Sequence, residues 1–175
     1  AIDSLENIGG IKSNHPVGRL VVPPGYYKVT SELTVDYDGL YIEGYGSQAS
    51  QIWAYHDGIA LNYCTARNDL ATSKISINRL GIINKQSYTK ENGYPTSSYL
   101  GTGLRLYNAH SNYFSDLLIS HFLYGIDLNA SYLNTFDVYV GNYNYYDLYA
   151  QGGANGNSFK GGVMRGACFP GSGQS

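Results

Sequence analysis

The sequence predicts an all-β solenoid in which short parallel strands wind into stacked coils. One observation behind this prediction is a recurring triplet with Asn two residues before Phe, at Asn112, Asn134 and Asn157, in steps of 22 and then 23 residues. Another is a short strand-like run ahead of each triplet, at 103–106, 125–128 and 146–149. Helical repeats need about 33 or more residues, so a period of twenty-odd residues favours one coil of a parallel β-helix.

The triplet gives each of its residues a predicted place in the coil. A unit this short cannot close a core alone, so the next unit must cover its apolar face. Asn tolerates left-handed backbone geometry and bonds its own main chain, which predicts a bend at each Asn. Each Phe is expected to stack on its equivalents inside. The run 75–82 matches 112–119 with Ile77 in the place of Phe114, which predicts an earlier coil of the same kind.

Composition indicates the broad class of protein. At 175 residues the chain suits a single domain with a sizeable core. Charged residues are 14% and the net charge is −2, so no basic surface argues for nucleic acid. Nineteen tyrosines favour β structure with half-exposed faces. No apolar run approaches the roughly 18 residues of a membrane span.

The first half of the chain reads as a helical segment followed by a series of short strands. Residues 1–8 carry apolar residues at a helical spacing and end at Gly9-Gly10. The predicted strands that follow are 19–22, 26–29, 33–35, 40–44, 51–53 and 59–61. Pro23-Pro24-Gly25 separates the first two strands, as turn residues do.

These residues carry a resemblance to a known superfamily. The strand that ends in Pro23-Pro24-Gly25 before Tyr26-Tyr27, with Ile42-Glu43-Gly44-Tyr45-Gly46 after it, resembles the start of pectate-lyase-like β-helices. The resemblance implies a right-handed single-stranded parallel β-helix with a short N-terminal capping helix. Residues 1–18 are then the remnant of that helix and a loop, and 19–175 form the β-helix, as one domain of a fragment of a longer chain.

Within that superfamily, the Tyr-rich chain is most similar to bacteriophage tailspikes and receptor-binding proteins. This resemblance implies a homotrimer in the virion tail, outside the cell and beside other tail proteins, that binds and in some cases cleaves a bacterial O-antigen or capsule polysaccharide. It implies no cofactor, no nucleic acid and no membrane insertion. Two alternatives stay open: a secreted, monomeric polysaccharide lyase or hydrolase, and a non-catalytic structural or adhesive β-helix.

Candidate catalytic residues follow from stacking the coils. Equivalent positions in successive coils lie about 4.8 Å apart. Leu104 and Leu106 flank Arg105 as Ile126 and Leu128 flank Asp127, so Arg105 and Asp127 should project outward at one angular position.

If Tyr146-Asp147-Leu148 is in register, Asp147 lies on the next coil. Two carboxylates would then stand near the roughly 5 to 5.5 Å of a retaining glycosidase, and their repulsion would raise one pKa. The alternative is an ordinary solvated ion pair.

Candidate substrate-binding residues are Arg105 and four tyrosines, namely Tyr139, Tyr143, Tyr145 and Tyr149. The apolar CH face of a sugar ring stacks on an aromatic ring while its hydroxyls take hydrogen bonds, so this group suits a polysaccharide. The alternatives are plain strand formers and contacts between subunits. The four His show no paired spacing, so the sequence predicts no metal site.

A polar insertion at 85–101 enlarges the coil that precedes the regular ones. Insertions in solenoids map to loops on one face, which is often the binding face. The sequence therefore predicts either a binding loop or a tolerated surface excursion.

Overall fold

The computed structural model describes residues 18–35, 39–64, 75–86, 99–164 and 167–168. They contain fourteen β-strands and no α-helix. The predicted remnant of a capping helix and its loop, 1–18, lies outside the described residues apart from Gly18. The strands are β1 Gly18–Val21, β2 Gly25–Val29, β3 Leu33–Val35, β4 Leu40–Glu43, β5 Ser50–Ala54, β6 Ile59–Cys64, β7 Ser76–Asn84, β8 Thr102–Tyr107, β9 Tyr113–Ser120, β10 Tyr124–Asn129, β11 Thr135–Asn142, β12 Tyr146–Gln151, β13 Ser158–Val163 and β14 Ala167–Cys168.

The strands form two parallel sheets, which we call sheet A and sheet B. Sheet A joins β1, β2, β4, β5, β7, β9, β11 and β13, and sheet B joins β3, β6, β8, β10, β12 and β14. The chain alternates between the sheets, so that β8 and β9 form one coil, β10 and β11 the next, and β12 and β13 the one after. Neighbouring strands within each sheet are parallel and come from successive coils, as the predicted all-β parallel solenoid requires.

The predicted phenylalanine column runs through the core of sheet A. Phe114, Phe136 and Phe159 occupy one register position, and Ile77 precedes them at the same position. The rings of Phe114 and Phe136 stack with centroids 4.7 Å apart, and those of Phe136 and Phe159 stack 4.6 Å apart. Phe114 and Phe136 are fully buried. Offset stacking of this kind adds about 0.5 to 1.5 kcal/mol per pair beyond area burial.

The three asparagines form a hydrogen-bonded ladder beside that column. Asn112 Nδ2 donates to Asn134 Oδ1 at 2.9 Å, and Asn134 Nδ2 donates to Asn157 Oδ1 at 2.9 Å. The same oxygens accept from the main-chain N–H groups of Asn112 and Asn134. These side chains therefore bond to main-chain and side-chain groups of a neighbouring coil. The expected bond of each Asn to its own main chain is replaced by these bonds between coils.

The left-handed residue at this corner is the one before each Asn, and not the Asn as predicted. Ser111, Leu133 and Gly156 have φ of 56°, 56° and 63°. The Asn that follows is thereby turned inward, where the ladder forms. Without a left-handed backbone of its own, each Asn directs its amide side chain inward, where it forms hydrogen bonds between coils.

A second column of left-handed residues bends sheet A halfway along its long strands. Arg79, Asp116, Val138 and Gly161 have φ of 55°, 47°, 53° and 68°, and the strand pairing skips this position in each coil. The left-handed residue adds one position to the strand, so the side chains after it alternate between inward and outward in the opposite order, as they do after a β-bulge. Residues after the bend therefore face opposite to a simple alternating count.

We predict that Asn134→Ala lowers the free energy of unfolding by about 3 kcal/mol or more. The substitution removes the bonds of Asn134 to the buried N–H of Asn112, to the amide of Asn112 and to the carbonyl of Ala109, which keeps its bond from the N–H of Tyr132. Loss of a hydrogen-bond partner by a buried polar group costs about 1–3 kcal/mol. Urea denaturation checks this, with the exposed Asn155→Ala as the matched control. Equal effects from both variants would contradict the ladder's role.

We predict that Phe136→Ile is tolerated far better than Phe136→Ala. The chain itself carries Ile77 at this register position, so an isoleucine fits the column. We expect a loss of about 1–2 kcal/mol for Ile, mainly from ring stacking, and about 3–5 kcal/mol for Ala, which leaves a cavity. Thermal and urea unfolding of both variants measure the difference. Similar losses for the two would argue that the column does not support the core.

Candidate functional site

The outer face of sheet B gathers most of the predicted site residues. Ile126 and Leu128 of β10 point into the core, and Asp127 between them faces the other way. Asp127 pairs in register with Arg105 on β8 and with Tyr149 on β12. The predicted stacking of Arg105 over Asp127 is confirmed.

An ion pair with an amide partner lies at the centre of this face. Arg105 Nε donates to Asp127 Oδ2 at 2.8 Å, and Gln151 Nε2 donates to Asp127 Oδ1 at 3.3 Å. The Asp127 side chain is only 1% exposed, whereas Arg105 is 37% exposed. The expectation of an open outward carboxylate at Asp127 is therefore wrong, because its neighbours cover it and both its oxygens are bonded.

Polar groups continue on this face toward the first coils. Asn62 on β6 is in register with Arg105, and its amide donates to Glu32 Oε1 at 2.7 Å. Thr34 on β3 donates to the same oxygen at 3.0 Å. The face therefore presents a line of hydrogen-bonding side chains along the solenoid axis.

The expected position of Asp147 next to Asp127 is wrong. Tyr124 pairs with Tyr146, and this 22-residue step places Tyr149 beside Asp127 and Asp147 opposite Gly125. Asp147 is 1% exposed and accepts from Asn144 Nδ2 at 2.8 Å.

A Cβ built on Gly141 of sheet A would lie 2.4 Å from Asp147 Cγ. The carboxylate of Asp147 therefore faces the interior between the sheets, on the other side of sheet B from Asp127, and the two do not form a glycosidase pair.

A continuous series of ring contacts, which we call the tyrosine run, lies beside the ion pair. The ring of Tyr124 lies 4.5 Å from that of Tyr149 and 5.9 Å from that of Tyr146. Tyr146 contacts Tyr145 edge-on at 4.6 Å, and Tyr145 contacts Tyr99 at 5.5 Å. The predicted Tyr145 and Tyr149 are thus brought together, with Tyr145 56% exposed.

Three members of the tyrosine run, Tyr99, Tyr124 and Tyr146, were not in the predicted set of tyrosines. Tyr124 stands one coil before Tyr146, so the 22-residue step was the signal that could have found this pair. Tyr99 closes the insertion at 85–101, most of which lies outside the described residues. Its contact with Tyr145 brings the end of that insertion to this face.

Tyr139 belongs to the core, so its predicted place on the outer face is wrong. It is 2% exposed, and its hydroxyl donates to the carbonyl of Asp147 at 3.1 Å. Burial, with the negative charge of Asp147 nearby, raises the pKa of Tyr139 well above its usual range. The left-handed bend at Val138 reverses the alternation and turns Tyr139 inward.

Tyr143 lies at the corner that ends β11, where its ring packs 5.2 Å from that of His121. Both residues are left-handed, with φ of 55° and 68°. His121 and Tyr143 occupy the same corner in successive coils, so packing between coils accounts for the position of Tyr143.

Two kinds of feature are absent from the described residues. Within them, no three or more His, Cys, Asp or Glu side chains are grouped so that they could share a metal ion. The same part of the chain holds no helix of the length and apolar character that a membrane crossing requires.

Comparisons with known proteins bear on the fold and not on the site. No protein-family model matches the chain, and no curated protein does. Among solved structures, the chain is similar to "Geobacillus virus E2 - ORF18", with a TM-score of 0.50 and 15% sequence identity. The match covers 81% of this chain and 32% of that one, so this chain spans about a third of the phage protein's length. At that identity the likeness concerns the fold, which this chain shares with part of a phage protein.

Proposed function

We propose that this chain is part of a tailspike-like protein of a phage tail that binds a bacterial surface polysaccharide, an O-antigen or capsule, along the outer face of sheet B. The observation that carries the proposal is the tyrosine run beside Arg105, Asp127 and Gln151. Rings joined by contacts offer apolar surface at low entropic cost, and the neighbouring amides and ion pair offer donors and acceptors.

The shape of the face suits a polymer. Tyrosine and polar positions repeat along the solenoid axis at about 4.8 Å per coil, so a chain of sugars can lie across several coils. The line from Glu32 and Asn62 through Arg105 to Tyr149 supplies hydrogen-bonding groups for its hydroxyls. A small isolated ligand would need a closed pocket instead.

The phage setting and the handedness rest on separate support. The fold similarity to a Geobacillus virus protein supports a phage origin, and the resemblance of 19–46 to pectate-lyase-like chains supports a right-handed coil. Crossover connections between parallel strands of the same sheet are right-handed in about 98% of cases. The chain from β8 through β9 of the other sheet to β10 is such a crossover connection.

Binding is favoured over cleavage by the placement of the carboxylates. Asp127 is bonded at both oxygens and Asp147 faces the interior, so these two do not provide the acid and base that glycoside hydrolysis requires. The proposal therefore assigns Arg105 and the tyrosine run to recognition of the glycan, with Asp127 holding Arg105 in position.

We predict that Tyr124→Ala combined with Tyr149→Ala weakens polysaccharide binding by about tenfold or more, since each ring contact contributes about 0.5–1.5 kcal/mol. The measurement is binding to panels of purified lipopolysaccharide and capsule by affinity electrophoresis or calorimetry. Tyr45→Ala, which removes an exposed tyrosine from the β4–β5 loop, is the matched control and should bind as the parent does. Binding that survives in the double variant would contradict the site.

The same panels test cleavage. We expect neither new reducing ends nor unsaturated uronate after incubation, because Asp127 is bonded at both oxygens and Asp147 faces the interior. Release of reducing ends that Asp127→Asn abolishes would overturn the assignment of Asp127 to positioning Arg105. Release of unsaturated uronate would instead favour a polysaccharide lyase.

We predict a homotrimer in solution, as the tailspike resemblance implies. Light scattering on the eluting protein should then give three times the chain mass of 19.2 kDa. The exposed Leu133 and Val138 on the sheet A side of the coil are apolar groups that a neighbouring subunit could cover. A mass of one chain at all concentrations would favour the secreted, monomeric alternative.

A further inference from the structure

One corner of the solenoid places an exposed asparagine directly before a glycine. Asn155 and Gly156 lie between β12 and β13, and both residues are exposed. A main-chain nitrogen that follows an asparagine can attack the side-chain carbonyl of that asparagine. Because glycine has no Cβ, the nitrogen of Gly156 meets less steric hindrance in this attack than that of any other residue type. The pair is therefore a candidate for a reaction of the chain with itself.

This corner is also the one that carries the asparagine ladder. Leu133 N donates to the main-chain carbonyl of Asn155 at 3.2 Å. Gly156 has a left-handed φ of 63°, as Leu133 has one coil earlier with 56°. The next residue is Asn157, whose side chain bonds to the coil before it. Any change in the main chain between 155 and 156 therefore acts directly on the ladder.

The bond from Leu133 activates the peptide group that joins Asn155 to Gly156. The carbonyl oxygen of Asn155 and the nitrogen of Gly156 belong to the same peptide group. A hydrogen bond to that oxygen stabilises the negative charge that develops when the nitrogen loses its proton. Among the described residues, no main-chain carbonyl accepts from the N–H of Gly156. The proton is therefore accessible to base in the solvent.

We infer that Asn155 is a site of spontaneous deamidation whose isoaspartate product loosens the end of the asparagine ladder. The nitrogen of Gly156 gives up its proton and bonds to Cγ of Asn155, and the side-chain amide leaves as ammonia. The result is a succinimide ring, formed within one chain and so without the entropic cost of bringing two molecules together. Water then opens the ring at either carbonyl. The products are aspartate and isoaspartate, and water is the only other reactant.

Isoaspartate changes the path of the main chain at this corner. The chain leaves residue 155 through Cγ, so it is longer by one methylene carbon, and the original carbonyl becomes a free carboxylate. That carbonyl is the acceptor of the bond from Leu133 N. Beyond it, Asn157 Oδ1 accepts from the N–H of Asn134 at 3.0 Å, and Asn157 Nδ2 donates to the carbonyl of Ser131 at 2.8 Å. These bonds need a fixed distance between coils, which the longer chain no longer sets.

Peptide mapping by mass spectrometry tests the reaction in protein kept in mildly alkaline buffer. Asn92→Gln serves as the background, since it removes the other Asn-Gly pair of the sequence. Residue 155 should lose its amide, and faster as the pH is raised, while the buried and bonded Asn134 keeps its own. A protein isoaspartate methyltransferase should then label the product.

A substitution of the glycine separates this reaction from general ageing. Gly156→Ala should slow the loss of the amide at 155 by about tenfold or more, because its Cβ hinders the attacking nitrogen. Residues with a Cβ occupy this position in the two preceding coils, at Ser111 and Leu133, with similar φ. Circular dichroism checks that the variant is folded.

Hydrogen exchange measures the effect on the ladder. The N–H of Asn134, which bonds to Asn157, should exchange about tenfold faster in the isoaspartate fraction than in fresh protein. Freshly prepared Asn155→Asp adds the charge with a normal main chain and should exchange as the fresh protein does. Asn155→Ala, aged for the same time, should also be unchanged.

Two sets of results would overturn the inference. Residue 155 is not a deamidation site if its amide persists as long as that of Asn134, or if Gly156→Ala reacts as fast as the parent. The longer main chain does not loosen the ladder if exchange at Asn134 is unchanged in the isoaspartate fraction, or if Asn155→Asp raises it equally. No glycan enters these measurements, so their outcome is independent of the proposal for sheet B.

Discussion

The hydrogen-bonded column of Asn112, Asn134 and Asn157 is the constraint on which the coil depends. A corner between strands leaves main-chain N–H and C=O groups without sheet partners, and each such buried group costs about 1–3 kcal/mol if nothing bonds to it. One asparagine per coil satisfies the corner above it and the corner below it. The spacing between asparagines is thereby tied to the length of the coil, and that length sets the register of every other residue.

Stacking in register was the part of the molecule that the sequence could predict. The nearly constant step located the phenylalanine column and the pair of Arg105 and Asp127, and the likeness of 75–82 to 112–119 located the earlier coil with Ile77. Two placements were wrong. Asp147 was placed by the likeness of a Tyr-Asp-Leu run, 20 residues after Asp127, whereas the step from β10 to β12 is 22. Tyr139 was placed on the outer face with the neighbouring tyrosines, but the left-handed Val138 turns it inward, and no short pattern in the sequence marks that bend.

Register also decides which surface chemistry a β-helix can present. When coils repeat at one length, a side chain on one coil meets its equivalent on the next, so like residues become contacts. Tyr124 over Tyr146 gives a ring pair, and Arg105 over Asp127 gives an ion pair. Such contacts stabilise the stack of coils. Where they leave rings and hydrogen-bond donors exposed, as at Tyr145 and Arg105, they also form surface that a ligand can reach.

The two sheets carry aromatic side chains with different charged neighbours. On sheet B, Arg105 lies beside the tyrosine run and is paired with the covered Asp127. On sheet A, Lys28 Nζ lies 4.7 Å from the centroid of the Tyr55 ring, and Lys85 Nζ lies 4.1 Å from that of the Trp53 ring. The geometry that makes both faces possible is the same: a fixed step between coils that lets each outward residue act together with its neighbour.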